Sequence, residues 1–373
     1  MRMTHWIAIG LAIWALALPA WAKPINVLYM PPGTSGYWHD TTIPMPAVAE
    51  QLGINLTIMP IKTKDFDYEQ SIIEQVTGPN KPDWLIWSQR RLATEQILDV
   101  LEQQQIKSID ITSGLFEQVK ARIGYPQQRY QQWMAEVVSD EYSGGRSLVN
   151  DLIQLKTDQF KADQQQVLRL VGLAGSKRVA ATLLKTSAMR STAEQEKLVE
   201  LLQVVFINNW GRVDSQRKVQ QLFSRYQSID LFWAANTAIA LGAVDQIHAM
   251  NFEPDDKPLI ASFGWNQDVF QAITNEDIAF SLGGNQFIGA WSLVVLYDMA
   301  NGYELADIAE NNIVQIPFFK ATKQNIDDIM PFFQQAAWKQ VDIKQFSRKH
   351  NPDIQQYNFD FSQLINQSQS STN

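Results

Sequence analysis

The sequence predicts an α/β fold with two lobes of similar construction, and three observations support this prediction. Short apolar runs alternate with helix-length amphipathic segments, which is the pattern of βαβ units whose parallel strands are covered on both faces. The chain has 373 residues, of which 45% are hydrophobic and 19% charged, so it is long for a single domain. The alternating elements also fall into two consecutive series of similar length.

The first series contains five candidate strands, separated by helical patterns such as Met45–Leu52 and Thr94–Gln104. Each strand is a short apolar run between amphipathic segments, as expected for a buried parallel strand. The predicted strands are 25–30, 55–59, 83–87, 107–111 and 136–139.

The second series repeats this organisation. Its predicted strands are 167–173, 204–208, 230–233, Leu259–Phe263 and 279–282, and its predicted helices are 179–186, 193–202, 217–226, 238–249 and 268–273. The last stretch, 357–373, is rich in Gln, Ser and Asn, and we expect it to be loose at its end.

Composition excludes several classes of function. With 31 Lys and Arg against 39 Asp and Glu, the net charge of −8 has the wrong sign for binding phosphates, and nucleic acid is not an expected partner. The chain has no cysteine, which excludes disulfides and thiolate metal sites. Its four histidines are scattered without the spacing of zinc ligands. We therefore expect no metal and no cofactor.

The N-terminus has the pattern of a secretory signal peptide. A basic start at Arg2 precedes an apolar run from Trp6 to Pro19, and Ala20-Trp21-Ala22 forms a small-x-small cleavage site. The alternative is a membrane anchor, but the apolar run is shorter than the roughly 20 residues that span a bilayer. We expect cleavage after Ala22 and a soluble periplasmic protein.

Motifs for catalysis are missing from the sequence. It has no glycine-rich phosphate loop and no G-x-G-x-x-G after a strand. The segment Gly33-Thr34-Ser35-Gly36 lacks the spacing of a hydrolase nucleophile elbow. A pair of carboxylates that converges only in the fold stays open as an acid–base site. The sequence therefore favours a binding protein over an enzyme.

Aromatic residues follow the first predicted strand, at the edge where open α/β sheets bind ligands. Tyr37 and Trp38 come after a loop rich in Pro and Gly and open the next helix, so either ring is available to stack on a ligand. The alternative is that one of the two rings anchors the core, because large aromatic side chains are buried on average.

Polar residues follow the next two strands. Ser88 and Gln89 come after one strand and Thr112 and Ser113 close the other, and hydroxyl groups there could both donate to and accept from a hydroxyl-rich ligand. Thr112 and Ser113 could equally cap a helix or turn. The two arginines at 90 and 91 are more typical of a solvated helix start than of a ligand clamp.

A family resemblance rests on several segments. The segment 230–243, DLFWAANTAIALGA, resembles the pDidaifaaNDxxAlGa segment of type I periplasmic solute-binding proteins, with Thr237 in place of the usual Asp. Downstream, residues 257–265 resemble the vvGfDg strand of this family, and residues 271–273 resemble its eaI helix. Gly289 and the helix after it resemble the qxxxxxG motif, at which the chain of the family returns to the first lobe. The resemblance covers roughly 25–319, and the order and spacing of these motifs make it specific.

Within this family the sequence resembles in particular the periplasmic autoinducer-2 receptors, which partner a membrane sensor kinase instead of, or besides, a permease. The resemblance places Ser35 and Trp38 at ligand-contacting positions in the first loop. Asp110 lies where the receptors carry Asn in an Asn-Ile-Thr motif, so it would contact the ligand with a charge that they lack. Gly283 stands where the receptors carry an arginine. This difference argues against a borate-diester form of autoinducer-2 as the ligand, because that ligand needs two paired arginines.

The resemblance also implies contacts from the second lobe. Arg190 would be the arginine that clamps the ligand, and Phe263 stands where the receptors have a stacking tryptophan. Asn236 and Thr237 lie at polar contact positions, and Asn285 completes the predicted site. Arg190 has an alternative role as an exposed helix residue that pairs with nearby glutamates.

The family implies two Rossmann-like lobes joined by a hinge of three crossovers. We expect the lobes to be discontinuous, with a break at Gly283-Gly284 because paired glycines can absorb hinge torsions. The predicted domains are a signal peptide at 1–22, an N-terminal lobe at 23–141 and 284–317, and a C-terminal lobe at 142–283 and 318–373.

The predicted mechanism is closure of the lobes around one small polar ligand, such as a sugar, a polyol or an autoinducer-like molecule. Trp38 and Phe263 would stack on opposite faces of its ring, while Arg190, Asp110 and Asn236 fix its orientation. A monomer that delivers solute to an ABC-type permease is the favoured interpretation. The alternatives are a ligand-sensing adaptor for a sensor kinase or diguanylate cyclase, and an enzyme built on the same scaffold.

Overall fold

The computed structural model describes residues 24–61, 65–89, 93–112, 114–159, 167–253, 256–334 and 336–370. The predicted signal peptide, Arg90, Arg91 and Ser113 lie outside these residues. Among the described residues, no helix combines the length and the apolar character needed to cross a bilayer.

The first lobe is built on a six-stranded, fully parallel sheet with the order β2-β1-β3-β4-β5-β11. Helices cover both of its faces. Its strands are β1 (Ile25–Tyr29), β2 (Ile54–Ile58), β3 (Trp84–Ser88), β4 (Lys107–Thr112), β5 (Trp133–Ser139) and β11 (Ile313–Ile316). Its helices are α1 (Tyr37–Thr42), α2 (Met45–Leu52), α3 (Asp65–Thr77), α4 (Thr94–Gln104), α5 (Glu117–Ile123) and α11 (Ile288–Ala300).

The second lobe repeats this plan with the order β7-β6-β8-β9-β10-β12, in which only β12 is antiparallel to its neighbour. Its strands are β6 (Leu168–Ala174), β7 (Val199–Phe206), β8 (Leu231–Ala234), β9 (Leu259–Phe263), β10 (Phe280–Gly283) and β12 (Phe319–Thr322). Its helices are α6 (Glu141–Gln159), α7 (Ala180–Gln195), α8 (Arg212–Arg225), α9 (Thr237–Met250), α10 (Gln267–Thr274), α12 (Ile326–Gln334) and α13 (Phe361–Ser370). The predicted two-lobed α/β fold is thereby confirmed.

Strand burial explains why the sequence shows continuous apolar runs. Successive side chains of a strand point to opposite faces of the sheet, and in β1 both directions are buried. Val27 and Tyr29 belong to one hydrophobic cluster, whereas Leu28 and the following Met30 belong to another. A parallel sheet covered on both faces has no solvent-facing side on which polar residues would alternate.

The chain passes between the two sheets at three places that lie side by side in the fold. These are the step from β5 to α6 around Asp140, the step from β10 to α11, and Pro317-Phe318 between β11 and β12. Gly284 has φ of +88°, a left-handed conformation that glycine adopts without strain.

Two sequence expectations require correction. The helix predicted at 193–202 is wrong beyond Gln195, because Val199–Phe206 forms the edge strand β7 and pairs with β6 from Leu168 onwards. The loose tail is also wrong through Ser370, since 357–370 includes the helix α13 and buries Phe359, Phe361 and Leu364. The short strands β11 and β12 are findings of the structure that the sequence pattern did not predict.

Candidate ligand-binding cleft

A cleft of about 1150 Å³ lies between the lobes and is lined by loops at the carboxyl ends of both sheets. In each sheet the strand order reverses direction, between β1 and β3 in the first and between β6 and β8 in the second. Open α/β sheets bind ligands outside such reversals. Loops after all four strands line the cleft, so the two lobes present their binding edges to one another.

The first lobe supplies an aromatic wall. Tyr37 and Trp38 begin α1, and their half-buried rings meet edge to face with centroids 5.3 Å apart. A Cβ at Gly33 would lie 2.8 Å from Trp38, so the tryptophan packs directly on the loop backbone. Burial, together with Tyr29 and Glu141, raises the pKa of Tyr37 well above its ordinary value, and the phenol stays protonated.

On the opposite side of the cleft, the second lobe contributes the capped N-terminus of a helix and the loop next to it. Asn236 caps α9 by accepting a hydrogen bond from Ile239 N at 2.8 Å, and its amide donates to the carbonyl of Trp210 at 3.4 Å. Trp210 lies so close to Gly175 that a Cβ there would be 2.0 Å from the indole ring. Asn236 therefore holds the loop that presents the half-buried Trp210 to the cleft.

A buried ion pair lies on the cleft wall near the first crossover. Lys185 Nζ is 2.9 Å from Glu141 Oε2, and the two side chains are only 9% and 6% exposed. The same ammonium lies 4.2 Å from the centroid of the Phe263 ring. Burial raises the pKa of Glu141 while Lys185 opposes that rise. The pair offers a carboxylate acceptor and an ammonium donor to a polar ligand.

Behind the first-lobe wall, Gln89 is held by a buried carboxyl group. Its side-chain amide donates to Asp110, which also accepts a hydrogen bond of 2.5 Å from Trp133 Nε1. Gln89 lines the cleft, and its own amide oxygen has no hydrogen-bond partner among the described residues. Asp110 thus orients an amide whose acceptor oxygen is uncommitted.

The structure brings six of the predicted site residues to the cleft, and these are Tyr37, Trp38, Asn236, Thr237, Phe263 and Asn285. The predicted sandwich between Trp38 and Phe263 stays a prediction, and the structure gives the two rings different exposure. Phe263 is only 3% exposed, with Lys185 over its ring and the rings of Trp233 and Phe318 about its edges. It offers little surface for stacking, whereas Trp38 and Trp210 are more accessible.

The other three predicted residues lie away from the cleft lining. Ser35 is exposed in the loop before α1, and Asp110 is fully buried behind Gln89. Arg190 lies on α7 five residues after Lys185, so it points about 140° away around the helix and is exposed. Their contacts with a ligand stay predictions, and Asp110 is joined to the cleft lining by its hydrogen bond from Gln89.

Sequence reasoning missed the ion pair and Trp210. Glu141 and Trp210 each follow a strand end closely, so the rule that identified Tyr37 could have found them. Lys185 lies in the interior of a helix, where no local pattern distinguishes it from a solvated lysine. Among the described residues, no cluster of three or more His, Asp or Glu side chains could hold a metal ion.

Two α/β lobes with facing binding edges define a two-lobed solute-binding protein. The chain belongs to the periplasmic binding protein family, because the family model described as "Periplasmic binding protein domain" matches residues 30–304. Together with the solved structures below, this match confirms the type I periplasmic binding protein fold. Proteins of this family are periplasmic in bacteria. No curated protein sequence matches the chain significantly.

Solved structures share the fold. A periplasmic sugar-binding protein from Pseudomonas fluorescens is 25% identical, with a TM-score of 0.78 over 91% of this chain and 98% of that one. The arabinose-transporter binding protein from Shewanella sp. ANA-3 is 15% identical, with a TM-score of 0.67 over 84% and 97%. A solute-binding protein from Actinobacillus succinogenes 130z with bound D-allose is 15% identical, with a TM-score of 0.68 over 82% and 100%.

Proposed function

We propose that this protein is a periplasmic solute-binding protein that closes around a sugar or sugar-like molecule and presents it to an ABC-type permease. The observation that carries the proposal is the cleft, where the half-buried rings of Trp38 and Trp210 come from opposite lobes. Aromatic faces bind the apolar faces of a sugar ring, and the Lys185–Glu141 pair and Gln89 offer hydrogen bonds to its hydroxyls.

The remaining features of the proposal come from the sequence. Export depends on the signal peptide with cleavage after Ala22, and the mature protein acts as a monomer that does not bind nucleic acid. The domain boundaries at 141, 283 and 317 accord with the places where the chain passes between the sheets. Closure on ligand is the signal that a membrane partner recognises, and the ligand shifts this equilibrium only by its differential affinity for the two states.

The experiment is a thermal-shift screen with L-arabinose, D-allose, myo-inositol and autoinducer-2, followed by calorimetric titration. A ligand bound only by the folded protein stabilises it by about 2.7 kcal/mol at a hundredfold excess over Kd, so a sugar should raise the melting temperature. Stabilisation by autoinducer-2 alone would overturn the sugar assignment and favour the sensing role.

The substitution Trp38→Ala tests the cleft itself. We expect a 10- to 100-fold loss of affinity, because an aromatic contact with a desolvated ligand contributes on the order of 1–3 kcal/mol. Tyr125→Ala is the matched control, since Tyr125 is also half-buried but does not line the cleft. Unchanged affinity in the Trp38 variant, or an equal loss in both, would contradict the proposed site.

A further inference from the structure

The C-terminal segment, residues 326–370, lies beyond the part of the chain that matches the family and packs on both lobes. Its first helix, α12, packs on α10 and β12 of the second lobe. The chain then crosses to the first lobe, where a short 3-10 helix at Ile343–Phe346 packs against α2 and α11. It returns as α13, which packs on α12. The segment therefore crosses the hinge twice in addition to the three crossovers.

The contacts with the first lobe centre on α11. Phe359 stacks on Trp291 with centroids 4.5 Å apart and an interplanar angle of 11°. Asp298, which is fully buried, accepts hydrogen bonds from Ser347 Oγ at 2.5 Å and from Tyr357 Oη at 2.8 Å. Buried hydrogen bonds to a charged group are strong, so this part of the segment is fixed to the first lobe.

Two residues further on, Phe361 lies at the hinge. Its ring centroid is 5.1 Å from that of Trp265, 6.0 Å from Phe319 of β12 and 5.3 Å from Phe287 in the second crossover. A Cβ at Gly284 would lie 3.3 Å from the Cβ of Phe361. Phe361 thus touches the crossover glycine as well as side chains on either side of it.

Trp265 connects this cluster with the cleft. Trp265 is a lining residue of the cleft and is 5% exposed, and its indole donates a hydrogen bond of 3.1 Å to the carbonyl of Ser281. The indole ring lies flat against the hinge, since a Cβ at Gly283 would be 2.3 Å from it. Phe361 also contacts the Trp265 ring, edge to face at an interplanar angle of 75°. Trp265 is consequently in contact both with the backbone of the second crossover, at Gly283, and with the C-terminal segment, at Phe361.

We propose that Phe361 is a positioning residue for ligand binding, acting through Trp265 and the Gly283-Gly284 crossover. The C-terminal segment is in this view part of the binding machinery, and it couples the position of a cleft tryptophan to the conformation of the hinge. The inference rests on the proposed function. Its physical basis is that close-packed side chains occupy discrete arrangements, so a change at the hinge must repack this cluster.

Phe361→Ala tests the proposal, and Phe359→Ala is its matched control. Both phenylalanines are 2% exposed and lie two residues apart in the same segment, so both substitutions should cost similar stability through a cavity. Phe359 contacts the ring of Trp291 on the first lobe and that of Tyr357 within the C-terminal segment, whereas Phe361 contacts the hinge. Phe361→Leu, which retains most of the apolar volume, serves if the alanine variant does not fold.

Two measurements separate the variants. In calorimetry with whichever of L-arabinose, D-allose or myo-inositol stabilises the wild type, Phe361→Ala should weaken binding about 10-fold, equivalent to about 1.4 kcal/mol. Phe359→Ala should keep the wild-type affinity. In hydrogen exchange, which needs no sugar, the amides of 283–288 should exchange faster only in the Phe361 variant.

Equal affinity and equal exchange at 283–288 in the two variants would overturn the proposal. If no sugar binds even the wild type, the proposed function fails, and the exchange measurement still decides whether Phe361 holds the crossover.

Discussion

Each lobe buries a pair of ionisable side chains, but the two pairs are built in opposite ways. In the first lobe, Asp110 and Glu136 are direct partners on the adjacent parallel strands β4 and β5, and both are carboxyl groups. In the second lobe, Glu141 faces the ammonium of Lys185. One lobe thus places like charges together, whereas the other neutralises its carboxylate.

The difference shows in the protonation of the two sites. Burial and the neighbouring Glu136 raise the pKa of Asp110 well above its ordinary value, against the hydrogen bonds from Trp133 and Gln89. Burial also raises the pKa of Glu141, but the charge of Lys185 opposes it. The two carboxyl groups thus share the effect of burial and differ in the neighbouring charge, which raises the pKa further at Asp110 and lowers it at Glu141.

The largest effect is expected from removal of the ammonium in Lys185→Met. The substitution keeps an unbranched apolar chain over Phe263 but leaves Glu141 buried without its countercharge. Breaking a buried pair in this way costs about 3–5 kcal/mol. Urea unfolding at neutral pH measures the loss in the free energy of unfolding.

The double variant Lys185→Met with Glu141→Gln supplies the control for this prediction. It removes both charges, so most of the lost stability should return, because a neutral amide is cheaper to bury than an unpaired carboxylate. A double variant as unstable as the single one would mean that packing, and not charge, is responsible.

A smaller effect is expected from Asp110→Asn, and it depends on pH. Because the pKa of Asp110 is raised in the folded protein, the folded state keeps a proton that the unfolded chain loses above pH about 4. The free energy of unfolding then falls as pH rises, by at most about 1.4 kcal/mol per pH unit for this group. The amide that replaces the carboxyl group cannot titrate, so the variant should show a flatter profile in urea unfolding as the pH rises above about 4.

The groups that face Asp110 set the control for the pH profile. Glu136 is its neighbour on β5, and Lys120 and Glu117 on α5 act on Glu136. Glu136→Gln should flatten the profile as well, since it removes the like charge that raises the pKa of Asp110. An unchanged slope in both variants would show that neither carboxyl carries the dependence.

The fold was largely predictable from the sequence because its strands are buried on both faces and stand out as apolar runs. The helices Met45–Leu52 and Thr94–Gln104 and the strand Leu259–Phe263 have the predicted bounds. The first part of β7 was misassigned to the helix predicted at 193–202, whereas its end falls within the predicted strand 204–208. The strand lies at the edge of the sheet and is partly exposed, so its apolar pattern is broken. The four-residue strands β11 and β12 are too short to form a pattern.

Site residues were predictable where their position after a strand end brings them to the cleft. They were not predictable where the packing of helices brings them there. Tyr37, Trp38, Asn236 and Thr237 follow strand ends, and the topology alone brings them to the cleft. Lys185 reaches the cleft because α7 packs against α6, which begins at Glu141. No local pattern encodes such a contact between side chains on two successive helices.

The smallest effect is expected at an ion pair that has shorter contacts than the buried Lys185–Glu141 pair but lies at the surface. Arg212 on α8 binds Asp245 on α9 through two hydrogen bonds of 2.6 Å, with side chains 46% and 31% exposed. Water and salt already stabilise exposed charges, so Arg212→Ala should cost at most about 1 kcal/mol. Urea unfolding should detect this loss at low ionic strength and little of it in about 1 M salt, where screening acts within about 3 Å. A loss comparable with that of Lys185→Met would mean that bidentate geometry, and not burial, decides what an ion pair contributes in this protein.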